Sequence, residues 1–326
     1  MKKSLTSFTT GLIDYAGLFP PSKLDLNTAI HNFARYKSSN DSYMLSNFII
    51  PVSRLHELDA YEDLFKSKPP FYFSILCTAG AEISSYSESL NEQLREISRF
   101  TQKMGSNAVV TTLEIKLPAF GSDSGELIRA LNDGARLISS AIPDEVSVFY
   151  EPDLRKNYKE TITCLTQAIA LHNQEFDAKT RYIKGGFKLR CGGVETHMFP
   201  TIDQVAAVLY ACREHQIPFK ATAGLHHPVR HFNDSVQTTM HGFFNVFGAA
   251  ILAFTHTLSE ATLKEILSDE DPKSFRFSDY YFSWKKTKVP TASIDAARKN
   301  FCVSFGSCSF DEPREDLQSA GLMAVS

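Results

Sequence analysis

Short apolar runs and longer amphipathic stretches alternate along most of this chain. The runs "MLSNFIIPV" (44–52) and "PFYFSILC" (70–77) are rich in branched and aromatic residues, which is typical of buried strands. After the second run, Leu90, Leu94 and Ile97 recur at intervals of three or four residues, which indicates the buried face of a helix. The pattern therefore predicts strands and helices in alternation.

Seven strand-then-helix units of this kind can be followed as far as "IPFKATAG" (217–224). Because neighbouring parallel strands need a crossover, usually a helix, this order predicts a parallel sheet covered by helices. We predict an α/β fold, a (β/α)8 barrel of the TIM type, over residues 1–257. An open doubly wound parallel sheet is the alternative, and it is disfavoured because no Gly-x-Gly-x-x-Gly sequence follows the first strand.

The eighth strand and the C-terminal region are less regular. The apolar stretch "HGFFNVFGAAILAF" (241–254) is either a strand followed by a helix or one buried helix, and periodicity does not separate these two structures. Residues 258–326 are expected to form a helical and irregular C-terminal extension packed on the barrel. Within it, the apolar Phe305, Phe310 and Leu317 predict that residues 305–317 pack against the rest of the chain.

Composition narrows the functional classes. The chain has 326 residues, of which 43% are hydrophobic and 22% charged, and its formal net charge of −3 does not favour binding to nucleic acid or to an anionic membrane. No stretch approaches the ~18 apolar residues needed to span a bilayer, and the N-terminus lacks the pattern of a signal peptide. We expect a cytoplasmic protein whose partner is a small-molecule substrate, and assembly into a homo-oligomer is left open.

The six cysteines are widely scattered, and no Cys-x-x-Cys pair occurs among them. This distribution predicts reduced thiols rather than a disulfide framework or a zinc cage. No ligand spacing of high specificity is present either, so neither a metal nor another cofactor is expected.

Charged residues fall at the predicted ends of several strands, where barrels of this type place their catalytic groups. They are Asp14, Glu114, Glu151, Lys188, Arg190 and Lys220, and His226 and His227 follow the last of them. Since ionised groups inside an apolar barrel are costly unless paired, we expect several of these side chains to converge. The alternative for each is a structural role, as a helix cap, a turn residue or part of an ion network.

Two of these segments resemble class I deoxyribose-phosphate aldolases. That family carries Lys-Thr-Ser-Thr-Gly on strand six and Lys-Ala-Ser-Gly-Gly on strand seven, where this chain has Lys188-Leu-Arg-Cys-Gly192 and Lys220-Ala-Thr-Ala-Gly224. The resemblance covers about forty residues. It implies that Lys188 forms a Schiff base with a carbonyl substrate and that Lys220 lowers the pKa of Lys188.

The chemistry of the residues fits these roles. An apolar environment or a second ammonium lowers the pKa of a lysine and makes its amine nucleophilic. We therefore expect Lys188, Lys220, Glu114 and Glu151 to be catalytic, with the two glutamates moving protons. Substrate binding is expected from Arg190, His226, His227 and Asp14.

The leading hypothesis is an aldolase-like lyase that acts on a small carbonyl or carboxylate substrate through a Schiff base at Lys188. One alternative is a metal-assisted lyase or isomerase with Glu114, Glu151, His226 and His227 as ligands. Another is a non-enzymatic protein that binds a small anion.

Overall fold

The computed structural model describes residues 1–66, 69–121, 124–142, 145–175 and 184–324. Its strands, in chain order, are β1 (Ile13–Tyr15), β2 (Leu45–Pro51), β3 (Phe71–Thr78), β4 (Ala108–Lys116), β5 (Ser147–Glu151), β6 (Gly185–Arg190), β7 (Phe219–Thr222), β8 (His231–Asn233), β9 (Thr238–Met240), β10 (Phe275–Phe277), β11 (Tyr281–Trp284), β12 (Thr287–Pro290) and β13 (Cys302–Ser307). The helices are α1 (Lys3–Thr9), α2 (Leu26–Lys37), α3 (Glu62–Phe65), α4 (Tyr86–Met104), α5 (Ser124–Ala141), α6 (Tyr158–Glu175), α7 (Ile202–Glu214), α8 (Phe243–Thr255), α9 (Glu260–Ser268), α10 (Thr291–Asn300) and α11 (Asp311–Ser319).

Eight parallel strands close into a barrel in the order β1-β13-β7-β6-β5-β4-β3-β2, and helices follow the strands along the chain. This confirms the predicted (β/α)8 architecture. Among the described helices, none is both long enough and apolar enough to cross a membrane.

The closing strand lies later in the chain than the sequence pattern indicates. Residues 241–254 contain no barrel strand, and most of them belong to α8. This helix is buried on nearly every side because α7, α9, α10 and β12 pack around it. The eighth strand is β13, which pairs with β1 and β7. The barrel therefore extends past the expected boundary at residue 257, and part of the expected C-terminal extension completes it.

Two antiparallel insertions separate β7 from β13. The hairpin β8–β9 lies between β7 and α8, and the three-stranded sheet β10-β11-β12 lies between α9 and α10. Rings of the second insertion contact α8 and α1; Phe275 packs on Phe244 and Phe282 packs on Phe8. These insertions interrupt the alternation of strands and helices. They are the reason that the eighth strand lies later in the chain than the sequence pattern indicates.

The end of the chain is well packed, as the sequence predicts. Phe305, Phe310 and Leu317 are fully buried. The ring of Phe310 lies 4.8 Å from that of Tyr36, measured between centroids. In α11, Arg314 binds Asp41 at 2.7 Å, so a polar contact also joins this helix to the N-terminal region.

By its contacts the chain divides into two compact units. One consists of Met1–Ser46 with Leu189–Ser326, and the other is Asn47–Lys188. Buried charged residues of the first unit include Asp14 and Lys220, and those of the second include Glu114, Glu151 and Lys188.

Candidate active site

A β-bulge in β4 determines where Glu114 points. The extra residue is Thr111, which lies between two pairs of the ladder with β3, Phe73 with Val110 and Ser74 with Thr112. Phe73 packs against Phe100 of α4, so the face of β3 that carries Phe73 is the face that contacts the helices. Because side chains alternate along a strand, the bulge turns Glu114 to the opposite face, where Ser74 also points.

The Lys188 ammonium lies between two carboxylates. Its Nζ is 2.8 Å from Oε2 of Glu114 and 2.6 Å from Oε2 of Glu151. Tyr150 pairs with Phe187 in the β5–β6 ladder, so Glu151 and Lys188 come next on the two strands. All three charged side chains are at least nine-tenths buried. The predicted convergence therefore occurs for Glu114, Glu151 and Lys188, which we call the Lys188 cluster.

Ser74 adds a fourth polar group to the Lys188 cluster. Its hydroxyl donates a hydrogen bond of 2.6 Å to Oε1 of Glu114, and both residues are buried. The four residues come from β3, β4, β5 and β6, which are consecutive strands of the barrel. Ser74 was not foreseen from the sequence, although a single serine inside the apolar run "FYFSILC" is a signal that could have identified it.

Two opposing effects act on the pKa of Lys188. Burial disfavours the ammonium and by itself would lower the pKa, whereas the charges and hydrogen bonds of Glu114 and Glu151 favour the ammonium. The carboxylates prevail and hold the pKa above its ordinary value, so Lys188 is cationic in the resting protein. The expectation of a depressed pKa is wrong, because it considered a neighbouring lysine and not the two carboxylates that contact the amine.

Lys220 belongs to a second cluster, the Lys220 cluster, together with Asp14 and Ser304. Nζ of Lys220 lies 2.5 Å from Oδ2 of Asp14, and the hydroxyl of Ser304 donates to the same oxygen at 2.6 Å. All three residues are buried, and they come from β7, β1 and β13, which are also consecutive in the barrel. Since Asp14 neutralises the charge of Lys220, this lysine does not act as an uncompensated ammonium.

A buried arginine holds the strand that carries Ser304. The pairing of β13 with β7 shifts between Cys302 and Phe305, so β13 is also bulged at this point. The guanidinium of Arg298 donates to the carbonyls of Cys302 and Val303 within the bulge. It also donates to two carbonyls at the end of α1, those of Phe8 and Thr10. Arg298 therefore fixes the backbone beside Ser304.

The glycines of the two lysine motifs meet just beyond β6 and β7. A Cβ on Gly192 would lie 2.7 Å from Cα of Gly224, and a Cβ on Gly224 would lie 2.5 Å from the carbonyl oxygen of Cys191. The φ angle of Gly224 is +70°, a conformation that side chains rarely adopt. The repeated lysine-to-glycine spacing therefore reflects close packing of two backbone segments.

Gly224→Ala should destabilise the protein by at least about 3 kcal/mol, because it combines backbone strain with overlap against a rigid carbonyl. Gly321→Ala is a matched control, since Gly321 has a φ of +68° but nothing within 4 Å of an added Cβ. The control should lose only about 1–2 kcal/mol from strain. Urea unfolding of both variants measures the difference, and equal losses would show that the close approach at Gly224 is unimportant.

The two histidines after β7 contact α11. Nδ1 of His226 lies 2.9 Å from Glu312, and Nδ1 of His227 lies 2.6 Å from Asp316. The hydrogen bond with His226 holds the pKa of Glu312 below its ordinary value. These pairs tie the loop after β7 to α11, and a role for either histidine in substrate binding stays a prediction. Arg190 is exposed at the end of β6, and its binding role also stays a prediction.

The described residues contain no group of three or more His, Cys, Asp or Glu side chains arranged to hold a metal ion. The carboxylates of Glu114 and Glu151 both contact Lys188, and the two histidines both contact carboxylates of α11. The four candidate ligands therefore have other partners in the described structure, and the metal-assisted alternative stays a hypothesis.

Comparison of the chain with protein-family models, with curated proteins and with solved structures gives no match in any of the three. The chemistry of the buried clusters is therefore the basis for assigning a function.

Proposed function

We propose that this protein is an aldolase-like lyase, which makes or breaks a carbon–carbon bond of a small carbonyl substrate through a Schiff base at Lys188. The observation that carries this proposal is a buried lysine within 2.8 Å of two carboxylates near the carboxyl ends of barrel strands. Such a lysine has both a proton acceptor and a counterion within hydrogen-bond distance. The resemblance of the two lysine segments to class I aldolases agrees with this chemistry.

The neutral amine arises by proton transfer rather than by a depressed pKa. The Lys188 ammonium gives one proton to a carboxylate of the cluster, leaving an amine and a carboxylic acid. The amine lone pair attacks the carbonyl carbon, a C–N bond forms, and the nitrogen proton passes to the former carbonyl oxygen. The carboxylic acid then protonates this hydroxyl, the C–O bond breaks and water leaves. A protonated imine on Lys188 and a carboxylate remain, so atoms and charge balance.

The protonated imine withdraws electrons from the bond between the α and β carbons of the bound substrate. When the substrate carries a hydroxyl on its β carbon, that bond breaks, the hydroxyl proton passes to the carboxylate and an aldehyde leaves. The remaining enamine takes the proton back at carbon. Hydrolysis of the imine then releases the second product and restores Lys188. The reverse sequence joins the two carbonyl compounds.

Borohydride reduction with a panel of small aldehydes, hydroxyketones and keto acids should attach substrate covalently to Lys188. Intact mass gives the increment and peptide mapping gives the position. Lys188→Ala should abolish the adduct, whereas Lys116→Ala, which removes an exposed lysine at the end of β4, should leave it unchanged. Glu151→Gln should slow trapping by about 100-fold or more, since positioned acid–base groups contribute 10²–10⁴.

Absence of an adduct at Lys188 with every compound, or adducts on exposed lysines alone, would overturn the proposal. The Lys188 cluster would then be a structural ion network. Persistence of the full adduct in Lys188→Ala would have the same consequence.

A further inference from the structure

The two carboxylates that contact Lys188 are not equivalent. Both carboxylate oxygens of Glu114 have a partner, since Oε1 accepts a hydrogen bond from Ser74 and Oε2 contacts Nζ of Lys188. Its side chain has no exposed surface. Glu151 is the last residue of β5, its side chain retains 9% exposure, and its Oε2 lies closer to Nζ, at 2.6 Å. Glu151 is therefore the carboxylate that can exchange a proton with both Lys188 and solvent.

We infer that Ser74 is a positioning residue, which keeps Glu114 ionised as the counterion of the Lys188 nitrogen throughout the reaction. The proton that Lys188 releases is thereby directed to Glu151. This inference rests on the proposed Schiff-base function and assigns different roles to the two glutamates. Ser74 itself touches neither the substrate nor the reacting nitrogen in the mechanism. It acts through Glu114.

Burial and hydrogen bonding act on the Glu114 carboxylate in opposite directions. Complete burial by itself favours the protonated form of Glu114, because desolvation penalises the charged form. The hydrogen bond from Ser74 stabilises that charged form, as does the Lys188 ammonium. Without Ser74, Glu114 competes for the proton, and a proton held there is further from solvent.

Two titratable groups that act on Glu114 are Lys188, whose ammonium contacts it, and the Cys77 thiol. Burial, together with the charge of Glu114, raises the pKa of Cys77 to about 12, so this thiol stays neutral near pH 7 and does not exchange the proton. Lys188 and Glu151 are already members of the proton path. Removal of the Ser74 hydroxyl therefore alters Glu114 without removing a charge.

The test is the pH dependence of borohydride trapping at Lys188. In Ser74→Ala the Glu114 carboxylate loses a donor and takes a proton at higher pH, so the acid-side fall in trapping rate should move up by about one pH unit. Ser74→Thr keeps the hydroxyl and should restore the wild-type profile. Ser283→Ala, which removes a buried hydroxyl of β11, should leave the profile unchanged.

A second measurement follows the ¹³C resonance of the Glu114 side-chain carboxyl, assigned by comparison with Glu114→Gln, through a pH titration. It should titrate at higher pH in Ser74→Ala than in the wild type. Identical titrations, or a trapping profile in Ser74→Ala that superimposes on that of the wild type, would overturn the inference. A wild type that forms no adduct overturns the proposed function instead. If Ser74→Ala does not fold, Ser74→Cys replaces it as a weaker donor of similar shape, with a smaller shift in the same direction.

Discussion

A chain that ends after Lys299 will fail to form the native barrel. It lacks β13, so β1 and β7 each lose their partner and leave open strand edges. It also lacks Phe305, Phe310 and Leu317, whose burial contributes roughly 5–9 kcal/mol at 1.5–3 kcal/mol for each side chain. This sum is comparable with the whole stability of a typical domain, about 5–15 kcal/mol.

A chain that ends after Phe310 provides the comparison, because it keeps β13 and loses α11. We expect it to fold with reduced stability, since Leu317 and the ion pair of Arg314 with Asp41 are lost. Near-ultraviolet circular dichroism, thermal melting and limited proteolysis distinguish the two truncations. An unchanged melting temperature for the chain that ends after Lys299 would show that β13 is not required for the barrel.

Arg298→Ala should destabilise the protein by at least about 3 kcal/mol, although Arg298 touches no carboxylate among its described hydrogen-bond partners. Its guanidinium serves four backbone carbonyls, and each buried acceptor left without a donor costs about 1–3 kcal/mol. Burial lowers the pKa of Arg298, which is the cost of keeping this cation inside the protein. The hydrogen bonds offset that cost only while all four acceptors are in place.

Urea unfolding of Arg298→Ala measures this loss. Arg276→Ala is a suitable control, because Arg276 also donates to a backbone carbonyl, that of Lys273, but is exposed on β10. The control should change the free energy of unfolding by less than about 0.5 kcal/mol. Arg298→Lys keeps the charge but offers only three donors, so we expect it to recover part of the loss. A loss below 1 kcal/mol in Arg298→Ala would contradict the role given to the four carbonyls.

The barrel architecture, apart from its eighth strand, and the convergence of charged side chains at strand ends could be predicted from the sequence, because both follow from local patterns. Alternating apolar and amphipathic segments specify parallel strands, and the carboxyl ends of such strands meet at one end of a barrel. Several of the charged side chains at these ends were therefore expected to converge, and Glu114, Glu151 and Lys188 do. The eighth strand was missed because two insertions rich in polar residues precede it and β13 itself carries serines and a glycine.

The remaining features of the site depend on register and on long-range pairing, which periodicity does not reveal. The bulge at Thr111 changes which face of β4 carries Glu114, and the contact of Ser74 with Glu114 follows from that change. The partner of Lys220 is Asp14, 206 positions away, and no local signal connects them. The direction of the pKa shift of Lys188 likewise depends on which charges contact the amine.

The position of the closing strand also has a consequence for protein synthesis. The hydrogen bond from Ser304 to Asp14 joins residues 290 positions apart, so a ribosome making roughly 5–20 residues per second completes β13 about 15–60 seconds after β1. During that interval the first strand of the nascent chain has no eighth strand to pair with. The segment Asn47–Lys188 is complete before β13 is made, so the barrel cannot close until synthesis is nearly finished.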